Sequence, residues 1–195
     1  MRLSETDRLE AFSDGVMAVI ITIMAFSIPT PDASTPAALG RLVPHLLVYI
    51  LSFVMVGIYW NNHHHLLRAT ERISGAVMWA NLFLLFWLSL FPIVTAWVGR
   101  FPHTDLPTVA YGLVGLGAGA AYSVLVRMII RVNGKDSTVG RSIGTDTKGY
   151  LSLVLYTAGM ALTLVSPWLS YALYCAVAVM WIIPDRRLAA AADPS

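Results

Sequence analysis

Residues 8–31 read RLEAFSDGVMAVIITIMAFSIPTP, a short charged and polar opening followed by a predominantly apolar run that ends in two prolines. A helix of about 20 apolar residues is long enough to cross the hydrocarbon core of a bilayer. Proline lacks a backbone donor and disfavours helix in the residue before it, so the run predicts a membrane helix over residues 6–28 that stops at Pro29. No small-residue cleavage site follows, so we expect this helix to be retained.

The remainder of the chain has the same apolar character. Of its 195 residues, 57% are hydrophobic and 12% are charged, whereas a soluble domain carries about 25% charged residues. The length accommodates about six or seven spans with short loops and leaves no room for a sizeable soluble domain. We predict an all-α integral membrane protein with one domain, residues 1–195, and six transmembrane helices at approximately 6–28, 41–62, 75–98, 108–130, 150–165 and 169–183.

Short polar or proline-containing stretches separate the predicted helices. The segments TPDASTPAA and RVNGKDSTVGRSIGTDTK are predicted to be loops, and Pro92 is predicted to kink helix three. In helix four, Gly115 and Gly119 form a GxxxG pair, which lets another helix approach closely. The lone cysteine, Cys175, excludes an internal disulfide and is expected to be a packing residue.

The basic residues predict the orientation, because lysine and arginine stay on the cytoplasmic side of a membrane. With the N-terminus inside, the outer side holds only Arg41 and Arg100. The inner side holds Arg2, Arg8, Arg68, Arg72, Arg127, Arg131, Lys135, Arg141, Lys148, Arg186 and Arg187. We therefore expect a multi-pass protein of the cell membrane with both termini in the cytoplasm, and we do not expect nucleic acid as a partner.

The first helix carries a recognisable pattern. Arg8, Phe12, Ser13 and Asp14 spell RxxxFSD, and an apolar helix that ends in proline follows directly. This combination resembles the signature of the transmembrane-protein-175 family of potassium channels. Trp60, Asn61, His63 and His64 look like the polar cluster that ends helix two in that family, and these eight residues are the predicted structural motif.

The resemblance implies a potassium-selective cation channel, in its bacterial single-repeat form a homotetramer whose first helix lines a central pore. It also implies a hydrophobic constriction, with the narrowest ring on Val19, further rings on Ile23 and Phe26, and a threonine layer on Thr22. No cofactor is expected beyond the permeant potassium ion. The expected partners are other copies of the chain, potassium ions and membrane lipid.

The geometry of a helix is compatible with this assignment. At about 100° per residue, the four pore-lining candidates share one face, and Asp14 lies about 140° away from Val19. Asp14 is therefore expected to point toward other helices, in a charge-paired lock with Arg8 and Ser13 and with His63 or His64 as partner, because an unpaired ion at membrane depth is costly. Valine at position 19 is smaller than the residue usual in the family, which makes the larger Phe26 the alternative gate.

Other functions have weaker support in the sequence. His63, His64 and His65 are contiguous and point about 100° apart on a helix, so they cannot converge on one metal ion. No metal site is expected, although modulation of the channel by pH through these histidines is a hypothesis. The sequence contains no GxSxG, HExxH or glycine-rich phosphate loop, so no enzymatic activity is expected. The alternatives are a secondary transporter, which usually shows internal repeats and broken helices, and a non-conducting membrane scaffold.

Overall fold

The computed structural model describes residues 5–143 and 147–182, and all regular elements in these ranges are helices. They are α1 Glu5–Phe26, α2 Pro36–Gly40, α3 Val43–Arg68, α4 Gly75–Ser89, α5 Phe91–Arg100, α6 Asp105–Asn133, α7 Thr138–Ile143, α8 Thr147–Leu162 and α9 Pro167–Ile182. The predicted all-α class is confirmed. Residue 183, the predicted end of helix six, and Arg2, Arg186 and Arg187 lie outside the described residues.

Four helical segments are long and apolar enough to cross a membrane. They are Glu5–Phe26, Val43–Arg68, Gly75–Arg100 and Asp105–Asn133. The last two segments, α8 and α9, have 16 residues each, fewer than the roughly 20 that span a bilayer without tilt or thinning. The count of six spans therefore stays a prediction.

The helix boundaries differ from the predicted ones at several points. The second long helix, α3, starts at Val43 and runs through the histidines to Arg68, six residues beyond the predicted end at residue 62. Two short helices, α2 and α7, lie in the stretches predicted to be loops. A Thr-Pro start explains α2, because the Thr35 hydroxyl accepts a hydrogen bond from the Ala38 N–H and proline suits the first turn. The helix break at Leu90 lies two residues before Pro92, the predicted kink.

The helices pack in a chain of neighbours. The first helix, α1, contacts α3, α4 and α5, whereas α6 packs mainly against α4 and α8, and α8 packs against α9. The core between them is filled by leucine, valine and methionine, and by three buried tyrosines, Tyr111, Tyr156 and Tyr174. The first helix thus lies at one side of the helix bundle, and α8 and α9 lie at the other.

Side-chain bonds tie the helix ends together. At one end, the Arg72 N–H donates to Asn133 Oδ1 at 2.9 Å and the Asn133 amide donates to the Arg72 carbonyl at 3.1 Å, which joins the turn after α3 to the end of α6. At the opposite end, Arg41 donates to Asp32 at 2.6 Å, and this hydrogen bond together with the arginine charge lowers the pKa of the Asp32 carboxyl.

Glycines in α6 allow close helix contacts, but of the predicted GxxxG pair only Gly115 lies at such a contact. A Cβ on Gly115 would overlap the Tyr156 ring of α8, with Cζ 2.6 Å away. A Cβ on Gly119 would meet its nearest side chain, Leu153, at 3.5 Å, an ordinary contact. Gly112 and Gly117 are crowded as well, the first by Met160 and Tyr174 and the second by the Trp87 ring, so that neither has space for a side chain.

Candidate functional site

One face of α1 is exposed, and it carries the four residues predicted to line a pore. Val19 is 54% exposed, Ile23 is 51% exposed and Phe26 is 90% exposed, and Thr22 lies between them on the same exposed face. The opposite face is buried and contains Met17, Ile20 and Met24. These four residues, Val19, Thr22, Ile23 and Phe26, form an exposed and mainly apolar stripe along α1, which is called the apolar stripe below.

Thr22 is the polar member of this stripe. Its hydroxyl donates to the Val19 carbonyl at 2.9 Å and lies 3.2 Å from the Ala18 carbonyl. This bonding inside the helix uses the hydroxyl proton and leaves an oxygen lone pair available to accept a hydrogen bond or to contact a cation.

A buried hydrogen-bond network holds the beginning of α1. Ser13 Oγ donates to the Leu9 carbonyl at 2.8 Å and accepts from Asn81 Nδ2 of α4 at 2.9 Å. Asn81 Oδ1 in turn lies 2.7 Å from His63 Nε2 of α3. Three helices are thus connected through completely buried side chains, Ser13, His63 and Asn81, at the polar cluster that the sequence indicated.

The network also defines the histidine tautomer. Because the amide nitrogen of Asn81 donates to Ser13, its oxygen accepts, and His63 Nε2 must carry the proton. The other ring nitrogen, Nδ1, is buried without a hydrogen-bond partner in the described part of the chain, and the same holds for Asp14 Oδ1. The Asp14 carboxylate is close enough to interact electrostatically with His63.

Asp14 is thus placed near His63, but in the described residues no hydrogen bond joins it to a histidine. His63 bonds Asn81, and His64 Nδ1 lies 2.5 Å from Glu10 Oε1 of α1. Trp60 stacks on the His64 ring with centroids 6.1 Å apart. His63 and His64 thus have separate partners, and no group of three potential metal ligands occurs among residues 5–143 and 147–182.

Other residues of the predicted motif stay outside the network. Arg8 is exposed and makes no ion pair with Asp14 in the described structure. Phe12 is 53% exposed, on the same side of α1 as the apolar stripe. Asn61 is half-buried. Their proposed structural roles stay predictions.

Two residues of this polar site, Asn81 and Glu10, were not predicted from the sequence. Asn81 is part of the network. It can be recognised in the sequence because it follows Ala80 as an isolated polar residue, and the next polar residue of this strongly apolar helix is Ser89. Intramembrane polar residues of this kind usually serve a packing or functional purpose. Glu10 is the partner of His64, and it lies inside the RxxxFSD motif itself.

A second polar cluster holds the other end of α1. Ser52 Oγ lies 2.7 Å from Thr95 Oγ1 and 3.0 Å from Tyr111 Oη, and Thr95 also contacts Met24 Sδ at 3.9 Å. The buried side of α1 is therefore fixed at Ser13 and again at Met24. Both points lie on the buried side of the helix, and the apolar stripe lies on the side that the rest of the described chain leaves exposed.

Comparisons with known proteins place this geometry in context. The profile of the family described as "Endosomal/lysosomal potassium channel TMEM175" matches residues 8–92, a range that contains Ser13, His63 and Asn81. A potassium channel of Chryseobacterium sp. (strain P1-3) is 44% identical over 181 residues, which cover 93% of this chain and 94% of the relative. A potassium channel of Streptomyces collinus is 34% identical over 131 residues, covering 63% of this chain and 64% of the relative.

A solved structure has the same fold. The crystal structure of a lysosomal potassium-selective channel TMEM175 homolog from Chamaesiphon minutus superposes with a TM-score of 0.81. The two sequences are 24% identical, and the match covers 94% of this chain and 99% of the other.

Proposed function

Because this chain belongs to the TMEM175 family of ion channels, we propose that it is a potassium channel of the cell membrane and that four copies surround a pore lined by α1. The family is one of channels and not of enzymes. The relatives named as potassium channels support the choice of ion. The observation that carries the pore assignment is the apolar stripe on a helix whose opposite side is fixed at Ser13 and Met24.

Four copies of the stripe around an axis would form successive rings. Rings of Val19, Ile23 and Phe26 would be apolar, and an apolar constriction blocks ions by excluding water until it widens. Thr22 would add one layer of hydroxyl oxygens between the rings of Val19 and Ile23. We propose that this layer contacts the dehydrating ion, whereas the apolar rings form the constriction.

The pore assignment predicts the response of ion flux to side-chain truncation. We expect Val19→Ala, Ile23→Ala or Phe26→Ala at the narrowest ring to raise potassium flux about tenfold, which corresponds to a barrier lower by about 1.4 kcal/mol. The measurement is flux from purified protein in liposomes under a potassium gradient, repeated with sodium in place of potassium.

Matched controls are available on other exposed faces. Val154→Ala, Ile93→Ala and Phe86→Ala make the same chemical changes at residues that are 62%, 63% and 55% exposed, and we expect them to leave flux unchanged. Equal effects of the stripe and control variants would make the stripe an ordinary lipid-facing surface. Absence of flux from folded wild-type protein would instead favour the first alternative function, a non-conducting membrane scaffold. Saturable, gradient-coupled uptake by monomers would favour the second, a secondary transporter.

The tetramer predicts a cross-link between subunits. In a background with Cys175→Ser, we expect Val19→Cys to form disulfide-linked dimers on mild oxidation in membranes, because a disulfide needs Cβ atoms about 4 Å apart, as in a narrow ring. Val154→Cys, on the far side of the subunit, is the control and should stay monomeric on a non-reducing gel. Monomer from both variants would contradict the placement of Val19 at a narrow axis.

A further inference from the structure

The end of α6 carries a groove that the channel proposal does not use. It is shallow, has a volume of about 440 Å³, and is lined by Val124, Arg127, Met128, Ile130 and Arg131. The two arginines are four residues apart, which places both guanidinium groups on one face of the helix. Both are exposed, and the apolar members of the groove lie alongside them.

The two arginines lack acidic partners. In the described residues the ion pairs are Arg41 with Asp32 and His64 with Glu10, so neither Arg127 nor Arg131 is paired with a carboxylate there. Arg127 donates instead to the Tyr150 hydroxyl of α8 at 3.2 Å. This bond uses a lone pair of the tyrosine oxygen and leaves its proton free for another acceptor, and Tyr150 is 59% exposed.

The position of Arg127 is not explained by the favourable interaction of a positive charge with the C-terminal end of a helix. The helix dipole acts within the last turn, where Arg131 lies, whereas Arg127 lies one turn earlier in the helix. The groove is also near the basic end of the molecule, where Arg72 and Asn133 join α6 to the turn after α3. Tyrosine and arginine at the end of a membrane helix are typical of the headgroup level of a bilayer.

We propose that this groove binds one anionic phospholipid of the adjacent leaflet, with its phosphate between Arg127 and Arg131. Arginine forms strong charge-assisted bonds to phosphate oxygens, and the free proton of Tyr150 supplies a further donor. Val124, Met128 and Ile130 provide an apolar wall for the first methylene groups of the acyl chains. Basic pockets on membrane helices select anionic lipids in this way, and the groove offers no carboxylate to a choline or ammonium headgroup.

The test is lipid binding by the full-length protein in detergent, counted by native mass spectrometry with phosphatidylglycerol or phosphatidylcholine. We expect wild type to prefer phosphatidylglycerol and the double variant R127Q/R131Q to bind it about 30-fold more weakly, from about 1 kcal/mol for each arginine. The variant R127K/R131K, which keeps both charges, should retain part of the preference. Size-exclusion chromatography identifies any variant that fails to fold.

The matched control is R68Q/K135Q, which removes two exposed positive charges from the same end of the molecule but outside the groove. We expect this control to bind phosphatidylglycerol like wild type. Wild-type binding by R127Q/R131Q, or equal losses in both double variants, would overturn the site. Competition by free glycerol phosphate as effective as that of the lipid would also overturn it, because the acyl chains would then contribute nothing.

Discussion

Gly115→Ala is expected to destabilise the folded protein by about 2 kcal/mol, and Gly119→Ala, one helical turn away, is expected to be neutral or stabilising. A methyl group on Gly115 would overlap the Tyr156 ring. That ring is buried and packs 5.5 Å from the ring of Tyr174, so it cannot move aside. Overpacking of this kind lowers the free energy of unfolding by about 3 kcal/mol, and the higher helix propensity of alanine raises it by about 1 kcal/mol.

The same change at Gly119 causes no overlap, because the added methyl group would be in ordinary contact with its nearest neighbours. Only the gain in helix propensity then acts, about 1 kcal/mol in the stabilising direction. The measurement is the free energy of unfolding in detergent, with chemical denaturation followed by tryptophan fluorescence. If the two alanine variants were equally stable, the close approach of α6 and α8 at Gly115 would be refuted.

Asn81→Leu is expected to lower stability by about 2 kcal/mol and to reduce potassium flux. The change removes both bonds of the amide and leaves the His63 Nε2–H buried without an acceptor. A buried unsatisfied donor costs about 1–3 kcal/mol, and each lost interhelical bond in a membrane protein costs about 0.6 kcal/mol. Flux should fall because the Asn81–Ser13 bond sets the rotation of α1, and with it the direction of the apolar stripe.

Asn62→Leu is the matched control. It makes the same chemical change at another buried asparagine, whose amide donates to the Ile58 carbonyl of its own helix and which lies outside the Ser13–Asn81–His63 network. We expect this variant to unfold at the same denaturant concentration as wild type and to conduct normally. A stable, fully conducting Asn81→Leu protein would show that the network is dispensable both for the fold and for the orientation of α1.

Sequence analysis was most informative about α1. The apolar run and its terminal prolines predicted a helix over residues 6–28, and the structure gives Glu5–Phe26. The RxxxFSD motif indicated the family, and the 100° rotation per residue correctly grouped the members of the apolar stripe on one face. These features are local, because hydropathy, helix period and proline act within one segment of chain.

The polar site was only partly predictable. The sequence drew attention to Ser13, Asp14, His63 and His64, but it did not predict the groups to which the two histidines are bonded, Asn81 and Glu10. The actual partners are separated widely along the chain, by 18 residues between His63 and Asn81 and by 68 between Ser13 and Asn81. No pattern within one helix reports which residue of another helix lies opposite at the same depth.

The sequence by itself determined that the chain is helical and apolar enough for a membrane, where its first helix begins and ends, and which family it belongs to. The bilayer imposes these properties segment by segment, since each spanning helix must satisfy its own backbone hydrogen bonds and expose apolar side chains. Only the tertiary structure decided the rotation of α1, the choice of Gly115 over Gly119 as the close contact, and the meeting of Arg127 and Tyr150. These depend on the depth and rotation of helices packed side by side, which are set by interlocking side chains from distant parts of the chain.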